Sequence, residues 1–251
     1  MDSTTRFSDR VENYVRYRPT YPKEIIKCLE REIGFTAARI VADIGSGTGI
    51  STELFLQNGN TVYAVEPNKR MREKGEELLR RYPSFVGING TAEQTTVDSG
   101  SIDVIVAGQA FHWFDRAKTK MEFWRIASPD AWIVLMWNDR QVESEFEKAY
   151  ENLVVHYATD YTSANHRNIS DEEIGSFFNP NPFTVQVFPN EQIFDFAGLK
   201  GRLLSSSYIP NEQHSNHEEM IAELQHLYKT HEAHDRVRFG YMTKFYVGKA
   251  R

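Results

Sequence analysis

Cysteine is almost absent from this chain of 251 residues, and the single thiol, Cys28, excludes an internal disulfide framework. Cys28 falls within the apolar pattern Ile25, Ile26, Leu29 and Ile33, which reads as a buried, inert position. Long apolar runs are missing too, since none approaches the ~18 residues of a membrane span. Residues 1–6 lack the charged and apolar blocks of a secretory signal. The expectation is a cytoplasmic chain with no membrane partner. There is no basic excess, because 29 Lys and Arg stand against 35 Asp and Glu for a net charge of −6. No nucleic-acid footprint results. No internal repeat or low-complexity segment interrupts the chain, and its length suits one large domain over residues 1–251.

What is present is an alternation of strands and helices. Strands are predicted near 40–44, 61–66, 85–88, 102–107 and 131–137, with helical patterns near 49–57, 69–81 and 115–126 between them. The runs at 102–107 and 131–136 are nearly continuous in apolar residues, as in a parallel sheet covered on both faces. Right-handed crossovers then give an α/β, doubly wound, mostly parallel sheet with its ligand at the carboxyl edge.

Residues 1–35 read as an N-terminal helical cover. Asp9 and Glu12 open a first helix that Pro19 stops, and Pro22 opens a second that ends at Gly34. Residues 36–140 form the binding core. Residues 141–180 read as an inserted helical lid, with a helix at 144–157 and a polar stretch at 158–182. Residues 181–251 complete the core, with strands at 183–188, 191–196 and 238–247. A helix at 216–234 covers the sheet with Met220, Ile221, Leu224, Leu227 and Tyr228 inward.

The most informative stretch is 41–49, Val-Ala-Asp-Ile-Gly-Ser-Gly-Thr-Gly, a short strand ending in three alternate glycines. Such a turn lets backbone N–H groups close on a nucleotide-like ligand. A dinucleotide fingerprint needs a third small residue where this chain has Ile50, and a phosphate loop needs a Gly-Lys-Ser/Thr ending that is missing. Asp43 ahead of Gly45 would repel a pyrophosphate and suits a ligand with positive charge near the turn. Glu66, at the tip of the second strand, can accept both hydroxyls of a ribose.

Two further segments carry chemistry. Gly108-Gln109-Ala110-Phe111-His112-Trp113-Phe114-Asp115 follows the fourth strand. Its aromatic faces can stabilise a cation, or can simply pack a helix. His112 is the one group there that titrates near neutrality, either as a base or bonded to backbone. In Tyr14-Val-Arg16-Tyr17-Arg18-Pro19-Thr-Tyr21-Pro22, Arg18 can clamp a carboxylate, or the whole junction can staple the N-terminal helices to the sheet. Five histidines lie between 214 and 234, but no set of ligands converges at metal-binding spacing, so no metal is expected.

The combination Tyr-x-x-Tyr-Arg-Pro-x-Tyr-Pro, Asp-Ile-Gly-Ser-Gly-Thr-Gly with Glu66, and Ala-Phe-His-Trp-Phe-Asp resembles class I S-adenosylmethionine-dependent methyltransferases. Within them it is similar to the methyltransferase type 11, trans-aconitate methyltransferase-like group, a resemblance that Ser205–Pro210 also fits. The resemblance implies a Rossmann-like, seven-stranded sheet with a helical lid, and S-adenosyl-L-methionine as cofactor. It places Gly45, Ser46, Gly47, Thr48 and Gly49 with Asp43 against the methionine moiety, under Tyr14, Tyr17 and Arg18. It sets Glu66, Pro67, Asn68 and Met71 beside the ribose and adenine, and Thr91, Ala92 and Glu93 along the adenine. Gln109, Ala110 and Phe111 would flank the sulfonium. Tyr21, His112, Trp113 and Trp137 would face the acceptor, with His112 as the candidate catalytic group.

The expected activity is methyl transfer to a small organic acceptor, with a carboxylate as the candidate. The alternative is a non-catalytic S-adenosylmethionine-binding protein that acts as a sensor or partner subunit. Nicotinamide chemistry is disfavoured by Ile50. The partner is a small-molecule substrate, and the chain is expected to be a monomer or homodimer.

Overall fold

The computed structural model describes residues 10–159, 161 and 170–251. Seven strands form one sheet in the order β3-β2-β1-β4-β5-β7-β6. They are β1 (Val41–Ile44), β2 (Val62–Val65), β3 (Phe85–Ile88), β4 (Ile102–Gly108), β5 (Ala127–Arg140), β6 (Phe183–Phe194) and β7 (Val237–Lys249). The first five run parallel, and β7 lies antiparallel to both its neighbours. The strand order reverses between β1 and β4, which is where a doubly wound sheet opens a crevice at its carboxyl edge.

Helices α1 (Val11–Tyr17), α2 (Glu24–Ile33), α3 (Ile50–Gln57), α4 (Lys69–Leu79) and α5 (Arg116–Ile126) belong to the N-terminal half. They are followed by α6 (Glu145–Tyr157), α7 (Asp171–Phe178), α8 (Phe196–Leu204) and α9 (His217–His231). The pleat sends alternate residues to opposite faces. Val41, Val104, Val106, Val134 and Met136 bury against α2 and α3 on one face. Ala42, Ile44, Ile105, Ile133 and Leu135 pack on the other with Phe123 of α5 and Phe177 and Phe178 of α7. A third cluster joins α6, α8 and α9 to Phe194 of β6 and to Val237, Phe239 and Tyr241 of β7. No helix among the described residues is long and apolar enough to cross a membrane.

Four expectations are corrected. The strands read at 183–188 and 191–196 are one continuous strand, β6, because it is the sheet's edge, where Pro189 is tolerated. Helix α8 follows at once, with Asp195 accepting from the Gly198 N–H at 2.7 Å. Helix α7 emerges from the stretch read as polar and packs on the sheet rather than over its edge. Its start carries a capping box of Ser170 and Glu173. Helix α9 buries Met220, Leu224, Leu227 and Tyr228 against α6 and α8 as well as against Val237, Phe239 and Tyr241 of β7, with Ile221 only half-buried. The cap at Asp9 lies outside the described residues.

Candidate active site

The site grows from the end of β1. There the chain turns through Gly45, Gly47 and Gly49 with φ of +70°, +58° and +91°. These are left-handed conformations that side chains other than glycine rarely adopt. A Cβ at Gly45 would stand 2.7 Å from the Ala110 Cβ, so the turn and the loop after β4 approach as closely as backbone allows. Gly49 serves the scaffold instead, because a Cβ there would meet Leu79 Cδ1 of α4 at 2.4 Å.

Two carboxylates flank this turn and behave differently. Asp43 is fully buried, and its Oδ2 accepts from Ser51 Oγ at 2.7 Å and Thr52 Oγ1 at 2.6 Å. Burial, opposed by these hydroxyls, pushes its carboxyl up to about 6. Glu66 stands at the tip of β2, where Oε2 accepts from the Gly47 N–H and Oε1 from the Asn68 N–H, both at 2.8 Å. Burial raises its pKa as well, while the two N–H groups oppose the rise. Each oxygen keeps a further lone pair, on a side chain that lines an open cavity.

Two cavities adjoin along the carboxyl edge and share Tyr14, Gly45, Gly108, Gln109 and Trp113. The first is further lined by Gly47, Glu66, Pro67, Asn68, Met71, Thr91, Ala92, Glu93, Ala110 and Phe114. The second is further lined by Arg18, Tyr21, Ser46, Ile50, Ser51, His112, Asn138, Arg140, Tyr161, Arg202, Ser207 and Tyr208. Gln109 divides them. It takes φ of +55° and ties the partition to β5 through its N–H to Met136 O at 2.8 Å and Nε2 to Asn138 O at 3.1 Å.

Six residues expected at the site line neither cavity. Asp43 lies beneath the turn and anchors the start of α3. Thr48 is buried within the turn, and Gly49 packs on α4. The Tyr17 ring lies against Gly201 of α8. Phe111 is fully buried and packs edge-on against Phe177, with ring centroids 4.7 Å apart. Trp137 points to the other face of the sheet, against Tyr246 at 5.7 Å, so the pleat delivers Asn138 to the cavity instead.

The sequence reading missed Arg140 and Arg202. The guanidinium of Arg140 pairs with Glu151 and lies 4.8 Å over the Tyr150 ring, while Tyr161 donates to Glu151 Oε1 at 2.8 Å. Arg18 and Arg202 converge on one hydroxyl, Ser206 Oγ, at 3.5 Å from Arg18 Nη2 and 3.3 Å from Arg202 Nη1. Arg18 also donates to Ser205 O at 3.0 Å and lies 5.1 Å over the Tyr14 ring. Among the described residues neither Arg18 nor Arg202 is paired with a carboxylate. Burial, and then the neighbouring charge of Arg202, pull the Arg18 pKa below the ordinary guanidinium value. The only signal for Arg202 was its nearness to Ser205–Pro210. Among the described residues no group of His, Cys, Asp and Glu is arranged to hold a metal ion.

Comparison with known proteins agrees with this architecture. Residues 42–135 match the family model of the methyltransferase domain. An uncharacterized methyltransferase of Mycobacterium tuberculosis is 37% identical over 139 residues, covering 55% of this chain and 54% of that protein. The chain thus spans about half the length of the curated relatives first matched. An uncharacterized methyltransferase-like protein of Schizosaccharomyces pombe is 24% identical over 225 residues, 89% of this chain and 86% of its own. The solved structure of a candidate type II methyltransferase from Anaeromyxobacter dehalogenans superposes with a TM-score of 0.66. It shares 22% identity and covers 93% of this chain and 98% of that one. The class is thereby defined as the Rossmann-like α/β methyltransferase fold. Within it, residues 42–135 are the stretch similar to the methyltransferase domain.

Proposed function

We propose that this chain transfers a methyl group from S-adenosylmethionine to a small anionic acceptor, a carboxylate in the simplest case. The observation that carries the reading is the pair of adjoining cavities, one walled by Glu66 and the glycine turn, the other by Arg18 and Arg202. The first fits an adenosyl ligand on two grounds. At Gly45 there is no room for a Cβ where the turn meets Ala110, and Glu66 presents a buried carboxylate whose remaining lone pairs suit two ribose hydroxyls. Pro67, Asn68 and Met71 would border the ribose, with Thr91, Ala92 and Glu93 along the base.

The bound cofactor supplies an electrophilic methyl on a positively charged sulfur. The residues of this chain supply position. Tyr14, Gly108, Gln109 and Trp113 line both cavities, and so mark where donor and acceptor would meet. Arg18 and Arg202 would hold the acceptor's anionic group by charge-assisted hydrogen bonds. Confinement in a water-poor cleft then turns a bimolecular displacement into one between prepositioned atoms. An ionised carboxylate needs no proton removed, so His112 orients it, whereas a hydroxyl acceptor would need His112 as the base. Membership of the trans-aconitate methyltransferase-like group is part of the same proposal, supported by the arginine-lined cavity.

Thermal unfolding with S-adenosylmethionine, S-adenosylhomocysteine and the nicotinamide dinucleotides tests this reading. A ligand at ~100 times its dissociation constant adds about 2.7 kcal/mol, so the melting temperature rises with the two adenosyl sulfur compounds alone. Glu66→Gln sets an N–H₂ group against one of two backbone N–H donors and removes most of that rise. No response to either adenosyl compound refutes the proposal.

A further inference from the structure

Arg202 does not stand in its cavity unaided. Its Nε donates to Tyr241 Oη at 3.2 Å, Tyr241 Oη donates to Gln192 Oε1 at 2.9 Å, and Gln192 Nε2 donates to the Tyr17 carbonyl at 3.2 Å. Every direction in this chain is fixed by chemistry. A guanidinium only donates, so the Tyr241 oxygen accepts and its one hydrogen must go on to Gln192. A backbone carbonyl only accepts, so the amide of Gln192 is oriented from both ends. Such a series polarises along its length, and its members hold their places together.

The series crosses the molecule. Tyr17 closes α1, the helix that brings Tyr14 over both cavities; Gln192 is on β6, Tyr241 on β7 and Arg202 on α8. A second contact runs beside it. Gly201, next to Arg202, lacks the Cβ that would stand 2.0 Å from the Tyr17 ring, so α1 and α8 touch at that residue. Neither Tyr241 nor Gln192 lines either cavity.

We propose that Tyr241 and Gln192 are positioning residues that couple the seating of α1 over the cofactor cavity to the placement of Arg202 in the acceptor cavity. Cofactor and acceptor anion then bind with positive coupling, each tightening the other by the same factor. The inference rests on the methyltransferase reading for the two occupants, but the coupling itself is read from the hydrogen-bond series.

Calorimetric titration of S-adenosylhomocysteine into the full chain tests it, once in sodium malonate and once in sodium chloride at matched ionic strength. In the wild type, malonate tightens S-adenosylhomocysteine by about tenfold, within the usual range of coupling between sites. Tyr241→Phe and Gln192→Leu each cut that factor below about twofold, a ratio that compares the two salts within one variant and so stands apart from any change in its affinity in chloride. Arg202→Met removes the coupling as well, which shows that malonate acts through this arginine. Ligand-free unfolding temperatures report the fold of each variant, and if Gln192→Leu fails to fold, Tyr241→Phe carries the test. Coupling retained in the folded variants, or absent from the wild type, overturns the inference while leaving cofactor binding intact. Failure of the wild type to bind S-adenosylhomocysteine instead defeats the methyltransferase reading, and the coupling with it.

Discussion

A carboxylate with no solvent exposure is costly to ionise, and Asp43 at the end of β1 is such a group. Its pKa of about 6 in the fold lies above the value for an unfolded chain, so the native state holds the proton more tightly. Stability from this group is therefore fully present below the unfolded pKa and is lost as pH rises through about 6. Asp43→Asn keeps an acceptor for Ser51 and Thr52 and removes the titration. Melting temperatures of wild type and variant compared between about pH 5 and about pH 7 show the wild type gaining on the variant toward the acid end. A constant difference across that range means that Asp43 does not titrate there.

At the scale of elements, α6 illustrates local control over a distant site. Ser144 accepts from the Glu147 N–H at 3.2 Å, and Glu147 Oε2 accepts from the Ser144 N–H at 3.0 Å. Glu147 Oε1 also accepts from the Gly240 N–H at 2.8 Å, which fastens the helix start to β7. Ser144→Ala should cost ~1 kcal/mol, the usual value of an N-cap, and urea unfolding would show it as a lower midpoint with an unchanged slope. An unaffected midpoint would mean that the Glu147 bonds alone hold the helix start.

The same scale explains what the sequence could and could not tell. β1, β4 and β5 were legible because continuous apolar runs have few other uses, and the glycine turn because three alternate glycines are rarely accidental. Helix α8 was hidden by Gly198 and Gly201, which weaken helical propensity. Both glycines serve packing instead, with the Phe194 and Tyr17 rings occupying the space their Cβ atoms would need. Arg202 was lost with that helix. Trp137 was assigned to the cavity because β5 is apolar on both faces. A period of two then leaves no mark on composition to say which residues face the ligand.

Across the whole molecule, β7 belongs to two cores. Val237, Phe239 and Tyr241 pack with α6, α8 and α9, while Phe245, Tyr246 and Val247 pack on the two faces of the sheet. One strand threaded through both should make them unfold as one. The chain's four tryptophans, at 113, 124, 132 and 137, report the sheet half, and far-ultraviolet circular dichroism reports all the helices, those of the α6–α8–α9 cluster among them. Their urea midpoints should coincide, as expected of a two-state domain. Separate midpoints would show that the α6–α8–α9 cluster melts independently.

The sheet order also sets a timetable for synthesis. β6 is translated before β7 but reaches the sheet only through it, because β7 lies between β5 and β6. On the ribosome, β5 therefore waits with an open edge from Trp132 to Arg140 until its partners, Tyr241–Lys249, have emerged. Through that interval β6 has no strand to join, and the nascent chain exposes two ready templates for wrong pairing. A cell making this protein would need a chaperone most while the segment between β5 and β7 is being translated, and a premature stop there would release a sticky product rather than a merely shortened one.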